Sequence, residues 1–383
     1  MNVIHILMNN NNQSKHKKSS PSAPKIGRTI LNDIRRGGFK RTLRQDLKDI
    51  YHFYLDYETK ERLAQMGRVK RWFLQVFWLI KSLILKLSST RRVLLVISLI
   101  LYFIGRSEIQ IEENTVVINS LSQIAYLILL VVLMLELKDK LLAQDELAVG
   151  RAVQRAFIPG QNPVLKGWDI WLYTQPANDV GGDLVDYLQI SENKIHIALA
   201  DVAGKGLGAA LLMAKLQATL RALAPNYQSL SELGAHVNEI LCRDGLPNRF
   251  VSLVYLELES TSNTVRLVNA GHMPPIVLRS DQFEELPHGS PALGLKNKIT
   301  FNEQRIELKQ GDILFIHSDG ITDARNEAEE FFGEQKMIKL LQKYRRSTIE
   351  KIGEIILAEV EQFIGDARRY DDLSMVILKK IIE

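Results

Sequence analysis

From Asn114 to Leu135 the chain has 22 uncharged residues, ending in the apolar stretch Tyr126 to Leu135, and so long a neutral segment restricts the fold more than any other feature. As a helix at about 1.5 Å per residue it spans the roughly 30 Å of a hydrocarbon core. Val93 to Gly105 is a shorter companion of 13 uncharged residues. It crosses if Arg91, Arg92 and Arg106 snorkel, and is otherwise a re-entrant segment. Charge orients the pair: residues 1–92 carry 20 Lys and Arg against 6 Asp and Glu, a net of +14, leaving −9 for residues 93–383 out of a total of +5. Basic flanks before Val93 and at Lys138 and Lys140, with the net acidic Arg106 to Glu113 between them, predict a transmembrane hairpin over 93–135. Both of its ends then lie on the cytoplasmic side of the cytoplasmic membrane.

Around this hairpin the chain divides further. Residues 1–25, with an Asn run and Lys15, Lys17 and Lys18, read as a disordered basic tail. Residues 26–92 read as a basic helical region, in which Phe73, Phe77, Ile80, Ile84 and Leu87 form one stripe suited to a membrane interface. A linker helix is expected over 136–158. Leu135, Leu142, Val149 and Ala156 recur every seventh residue and suggest pairing with a second copy, although the companion positions Lys138 and Asp145 are polar. With no flexible segment before the next domain, this helix either transmits motion or serves as a passive spacer. Pro159-Gly160 ends it, and a second domain is expected over 160–383. Cys242 is the single cysteine, which excludes an intrachain disulfide and a tetrathiolate zinc site.

After Pro163 the texture becomes short β-rich runs separated by turn residues. Strands are expected at Trp168 to Gln175, Ile195 to Ala200, Phe250 to Leu258, Thr264 to Asn269, Pro275 to Arg279, Asp312 to His317 and Ser374 to Lys379. Helices are expected at Gly206 to Ala224, at Ser229 to Cys242, and twice between Glu334 and Ile364. Strands in runs, without strict alternation with helices, predict an α+β fold with a mainly antiparallel sheet system and helices on its faces.

Acidic residues stand at strand ends inside turn-forming sequence: Asp183 within Val180-Gly-Gly-Asp-Leu-Val-Asp186, Asp201 after Ile195 to Ala200, Asp319 after Asp312 to His317, and Asp371 with Asp372 before the last strand. Asp beside Gly at a strand end is ordinarily a turn. Together, however, clustered carboxylates repel unless a cation holds them, and an all-oxygen set selects Mg²⁺ or Mn²⁺ over Zn²⁺. A metal-dependent nuclease would use similar carboxylates but would want a basic groove, and residues 160–383 are acidic on balance. No nucleic-acid partner is expected.

Six motifs carry a resemblance. Gly-Gly-Asp-x-x-Asp at 181–186, Asp-Val-Ala-Gly-Lys-Gly-x-x-Ala-Ala at 201–210, Asn-Ala-Gly-His at 269–272, Leu-Gly-Leu at 293–295, Ser-Asp-Gly-Ile-Thr-Asp at 318–323 and Asp-Asp-Leu-Ser at 371–374 are similar, in this order, to bacterial PPM-type (PP2C-like) serine/threonine phosphatases. The branch resembled is that of sporulation and stress-response regulators. The resemblance implies a β-sandwich flanked by paired helices, with two Mn²⁺ or Mg²⁺ ions at one end. It implies that Asp201 bridges the metals, that Asp319 and Asp371 complete one site, and that Asp183 with the Val202 carbonyl serves the other. Asp372 joins this metal group, orienting its neighbour rather than ligating. Gly204 and Gly206 would turn the chain into the following helix. The implied substrate is a phosphoprotein, such as an anti-anti-sigma-factor-like regulator. An inactive binding scaffold is the alternative, and the filled carboxylate positions argue against it. His272 and His317 are candidates for leaving-group protonation, with structural hydrogen bonding as the competing role. Arg249 and Arg325 are candidates for gripping phosphate, with surface solvation as theirs.

Overall fold

The computed structural model describes residues 68–381 apart from 105–106, 112–113, 119, 245–248 and 281. The expected tail over 1–25 and the basic region up to residue 67 lie outside the described residues. The chain divides into two compact units, Met1–Leu137 and Lys138–Glu383.

The first unit contains α1 (Arg68–Lys86), α2 (Ser89–Ile104), the strands β1 (Ser107–Ile111) and β2 (Asn114–Ile118), and the start of α3 (Ser120–Phe157). On α1 the stripe residues Phe73, Phe77 and Ile80 are exposed. The neutral run 114–135 is not helical throughout. Its first residues, rich in β-branched side chains, pair as β2 with β1 in an antiparallel hairpin, Ile109 opposite Val116. The helix starts at Ser120 and continues without a break through the expected linker at 136–158, because nothing between Ser120 and Phe157 caps or breaks it. Helices α2 and α3 meet where Ser98 Oγ donates to the Ala125 carbonyl at 2.9 Å and Arg91 pairs with Glu136 at 2.6 Å. Large apolar side chains such as Val96, Ile100, Phe103, Leu127, Val131 and Leu133 remain exposed on these helices.

The second unit begins at Lys138 and so includes the second half of α3; the expected boundary at residue 160 falls inside it. Its strands are β3 (Trp168–Gln175), β4 (Leu184–Ser191), β5 (Lys194–Val202), β6 (Val251–Glu259), β7 (Thr264–Ala270), β8 (Ile276–Arg279), β9 (Gln282–Glu285), β10 (Glu303–Glu307), β11 (Ile313–His317) and β12 (Leu373–Lys380). They form two five-stranded sheets, in the orders β10-β7-β6-β5-β4 and β3-β12-β11-β8-β9, with every neighbouring pair antiparallel. Helices α4 (Leu207–Leu223) and α5 (Leu230–Asp244) cover the first sheet, and α7 (Glu334–Tyr344) and α8 (Ile349–Ile364) cover the second. A single helical turn, α6 (Asp319–Thr322), follows β11.

Three apolar layers result, and the strands feed two layers each by their period of two. In β5, Ala198, Ala200 and Val202 face α4 and α5, while Ile195, Ile197 and Leu199 face the other sheet. In β12, Val376 and Leu378 enter the space between sheets, and Leu373, Met375 and Ile377 face α7 and α8. Small residues toward the helices and large ones toward the opposite sheet let α4 approach closely, with Ala209 and Leu216 fully enclosed. Two described helices are long and apolar enough to cross a membrane, Leu121–Phe157 and Leu207–Asn226. The second contains α4, whose apolar face is accounted for by the domain core.

Leu199 sits between the sheets at 1% exposure. Leu199→Ala is expected to destabilise this unit by about 2–5 kcal/mol, read as a lowered urea midpoint by tryptophan fluorescence. Leu211→Ala, on the exposed side of α4, is expected to change it by less than about 0.5 kcal/mol.

Candidate functional site

The same alternation carries the strand-end residues inward at one edge of the sandwich. Val185 of β4, Leu199 of β5, Ile316 of β11 and Val376 of β12 all line the inter-sheet layer. Stepping by two toward the edge from each gives Asp183, Asp201, Ser318, and then Ser374 and Asp372. At this edge the apolar layer therefore gives way to carboxylates and hydroxyls. Asp183, Asp372, Ser318 and Ser374 are all buried. Asp319 opens α6, and Asp371 precedes β12. A small cleft is lined by Asn178, Val180, Gly182, Asp201, Gly204, Lys205, Gly206, Asp371 and Asp372.

The turn from β5 into α4 forms one wall. Gly204 and Gly206 have φ of +109° and +76°, conformations that side chains with a Cβ rarely adopt. Arg249 packs on this turn and donates from Nη1 to the Ala203 carbonyl at 2.7 Å, so it buttresses the wall. Arg325 does not line the cleft; it pairs with Glu329 and stacks over Phe331 and over Tyr370, the residue before Asp371.

Asp372 acts on backbone. Its Oδ2 accepts from the N–H groups of Gly182 at 2.7 Å and Asp183 at 3.2 Å, and its Oδ1 from Ala177 at 2.8 Å. One carboxylate thus ties the loop before β4 to the start of β12. Asp186, the second acid of the Gly-Gly-Asp-x-x-Asp motif, is likewise an anchor, held by Arg221 of α4 through two bonds of 2.8 and 2.6 Å.

His272 and His317 are buried and do not line the cleft. His272 Nε2 lies 3.0 Å from the His317 carbonyl, which only accepts, so Nε2 carries the proton and Nδ1 receives the Ser252 hydroxyl at 2.8 Å. Ser252 is the register partner of Asp201, and His317 precedes Asp319 by two residues. His272 therefore ties β6, the neighbour of the strand that carries Asp201, to the end of β11, two residues before Asp319. Burial lowers both imidazoles to about 4, and both are neutral near pH 7.

The acids interact strongly. Burial, then the charges of Asp201 and Asp372, push the Asp183 carboxyl well above its ordinary value, against the pull of the Ser374 and Ser318 hydroxyls. Burial, then Asp319 and Asp371, raise Asp201 to about 6. Asp319 is raised by burial and by Asp371, and lowered by Lys205. Lys205 Nζ reaches Asp371 Oδ2 at 2.8 Å, a contact the sequence did not signal.

Among the described residues, no three His, Cys, Asp or Glu side chains already enclose one point as a ligand shell. The donor set nonetheless fits a hard cation. Asp183 Oδ2 is buried with no hydrogen-bond partner, a state that costs about 1–3 kcal/mol for a neutral polar atom and more for a charged one. A divalent ion beside Asp183 and Asp201 would relieve both the missing partner and the repulsion.

Comparison with known proteins agrees with this architecture. Residues 191–380 match the family described as Stage II sporulation protein E (SpoIIE). The chain is 27% identical to protein IcfG of a Synechocystis species over 259 residues, covering 60% of this chain and 41% of that protein. It is 23% identical to the phosphoserine phosphatase RsbU of Bacillus subtilis over 239 residues, covering 62% of this chain and 70% of RsbU. The SiaA-PP2C domain of Pseudomonas aeruginosa superimposes with a TM-score of 0.55 at 18% identity, covering 63% of this chain and 98% of that domain. The fold is thus PP2C-like.

In the metal-free folded chain, Asp183 and Asp201 retain protons that the unfolded chain releases, so their contribution to stability is lost as pH rises from about 4 through 6. The buried neutral His272 and His317 act in the opposite sense, since the unfolded chain takes up protons at these positions as pH falls below about 6.5. Asp201→Asn removes only the first contribution, so the variant is expected to gain more in melting temperature over wild type at pH 7 than at pH 5, as measured by thermal denaturation in chelator.

Proposed function

We propose that the C-terminal domain belongs to the SpoIIE-type branch of the bacterial PPM (PP2C-like) phosphatases, a reading supported by the family match and the likeness to RsbU, and that this chain is a membrane-tethered protein phosphatase. It removes phosphate from phosphoserine or phosphothreonine on a protein. The observation that carries the reading is the unpartnered, buried Asp183 Oδ2 at the edge where Asp201, Asp319 and Asp371 influence one another.

Asp183 with the Val202 carbonyl, Asp201 as the shared ligand, and Asp319 with Asp371 would hold two divalent cations, Mn²⁺ or Mg²⁺. When bound, the ions supply Lewis acidity to a hydrolytic water and positive charge to the phosphoryl oxygens. The protein supplies the frame. Asp372 fixes the loop bearing Asp183, His272 joins β6, which pairs with the Asp201 strand, to the end of β11, which leads into Asp319, and the two-glycine turn keeps the approach open to a phosphorylated side chain. Lys205, ion-paired with Asp371, adds a cation at the mouth of an otherwise acidic cleft.

RsbU is described as a phosphoserine phosphatase. By that likeness the proposed substrate carries phosphoserine, and the resemblance of the six motifs to the stress-response branch makes a small signalling phosphoprotein of the anti-anti-sigma-factor type the proposed protein. Exposed apolar side chains on α2 and the first half of α3 support the membrane tether, because such a surface is costly in water and neutral in lipid. The cytoplasmic placement of the catalytic domain rests on the basic flanks. Pairing of two copies along α3 is part of the same reading, supported by exposed Leu142 and Val149 seven residues apart.

Phosphate release from a phosphoserine protein should require Mn²⁺ or Mg²⁺ and cease in chelator. Asp201→Asn, Asp319→Asn and Asp371→Asn should each lower it by about 100-fold or more. Wild-type turnover in any variant removes that residue from the site, and a folded, metal-binding chain with no activity on any phosphoprotein favours the scaffold reading. For topology, single-cysteine variants made in a Cys242→Ser background should label from outside the cell at Glu108 but not at Asn2. The reverse pattern would invert the hairpin.

A further inference from the structure

The loop of residues 176–183 lines the cleft with Asn178, Val180 and Gly182 and ends at the buried Asp183, and Asp372 holds that loop through three backbone N–H groups. A second grip comes from the opposite direction. Gln154, near the end of α3, donates from Nε2 to the Gly181 carbonyl at 2.7 Å and accepts from the Gly181 N–H at Oε1 at 3.0 Å. The side-chain amide thereby satisfies both backbone polar groups of one residue. Nearby, Arg151 Nε donates to the Asp179 carbonyl at 2.9 Å, and Gln217 of α4 holds the Phe157 carbonyl at 2.8 Å.

Burial makes this contact stand out. Among the described residues 138–157, Gln154 alone is buried, at 6% exposure. Val149 and Val153 on the same stretch are 65% and 52% exposed. This part of α3 is therefore attached to the domain chiefly by hydrogen bonding to one loop, where an ordinary packed helix would bury an apolar stripe. The loop has little room to settle differently. A Cβ on Gly181 would fall 2.4 Å from Asp372 Oδ2, so the backbone is wedged between the Asp372 carboxylate and the Gln154 amide.

We propose that Gln154 is a positioning residue of the metal site. It holds the Gly181 peptide, and through the next two residues it fixes where the Asp183 carboxylate stands. The end of α3 is then part of the catalytic machinery, and a domain cut at residue 160 would lack it. The inference rests on the reading of Asp183 and Asp201 as metal ligands.

The test uses the full-length chain in detergent and three variants: Gln154→Met, which keeps the side chain's length without its hydrogen bonds, Gln154→Ala, and Asp201→Asn as the control for the site itself. Mn²⁺ binding is measured directly from free Mn²⁺ by electron paramagnetic resonance. Hydrogen exchange is followed in a peptide covering residues 176–183. Turnover of para-nitrophenyl phosphate is measured across Mn²⁺ concentrations.

Gln154→Met and Gln154→Ala are both expected to weaken Mn²⁺ binding by about 10- to 100-fold. Exchange should speed up in residues 176–183 while the β5 and β12 peptides stay protected. Turnover should recover at high Mn²⁺ with KM for the phosphomonoester unchanged. A purely structural role would instead lower protection throughout the domain and leave the Mn²⁺ dependence unaltered. Wild-type Mn²⁺ affinity in Gln154→Met beside a defective Asp201→Asn overturns this inference alone. Unchanged Mn²⁺ binding in Asp201→Asn overturns the metal-site reading, and this inference with it.

Discussion

Placing several carboxylates at the buried edge of an apolar layer is the constraint on which the rest of this domain depends. Asp183 and Asp372 are almost fully enclosed, and Asp201 is raised to about 6 by burial and its acidic neighbours. Such a group of like charges would open the sandwich if each acid were free to swing outward. What prevents this is a set of neutral and backbone partners: three N–H groups on Asp372, the hydroxyls of Ser318 and Ser374, and the neutral imidazole of His272 bridging Ser252 to the His317 carbonyl. None of these cancels the charge. They hold the geometry and leave neutralisation to protons or to cations.

The three-layer packing supports the same end. Because each central strand divides its side chains between two apolar layers, it is fixed on both faces, and a slip of one residue would move Asp201 from the inter-sheet edge to the helix side. Rigid strands thus deliver the acids, while the glycine turn at 204–206 and the 176–183 loop shape access to them. Where a strand end alone would leave a loop loose, a side chain from another element holds it: Arg249 on the 203–204 turn, and Asp372 and Gln154 on either side of Gly181.

Much of the fold was legible in sequence because central strands repeat apolar residues with a period of two, and the expected strands at Trp168 to Gln175 and Thr264 to Asn269 match β3 and β7 to within a residue. Strands β9 and β10 escaped notice because they are sheet edges. Gln282–Glu285 and Glu303–Glu307 are polar and partly exposed, as edges that avoid pairing with other chains tend to be. Strand β4 was hidden behind the turn-rich Gly181-Gly182-Asp183 that precedes it. The break at the start of the 114–135 run was missed for a related reason: hydropathy records that Asn114 to Ile118 is uncharged, but not that its β-branched residues pair with Ser107–Ile111.

By itself the sequence determined the local faces: apolar periodicity, glycines where the chain turns, and acids at strand ends. These depend on neighbours a few residues apart, so a linear pattern carries them. Which acids share the inter-sheet edge depends on the register of strands far apart in the chain, as when Asp201 falls opposite Ser252 and His317 opposite Met375. The division of labour among acids of the same type, with Asp372 binding backbone, Asp186 binding Arg221 and Asp183 left with an unpartnered oxygen, also came only from the folded structure. Gln154 is the clearest case. On a helix its amide looks like one more solvated polar side chain, and only the tertiary fold brings it against a peptide 27 residues away, where burial makes both hydrogen bonds matter.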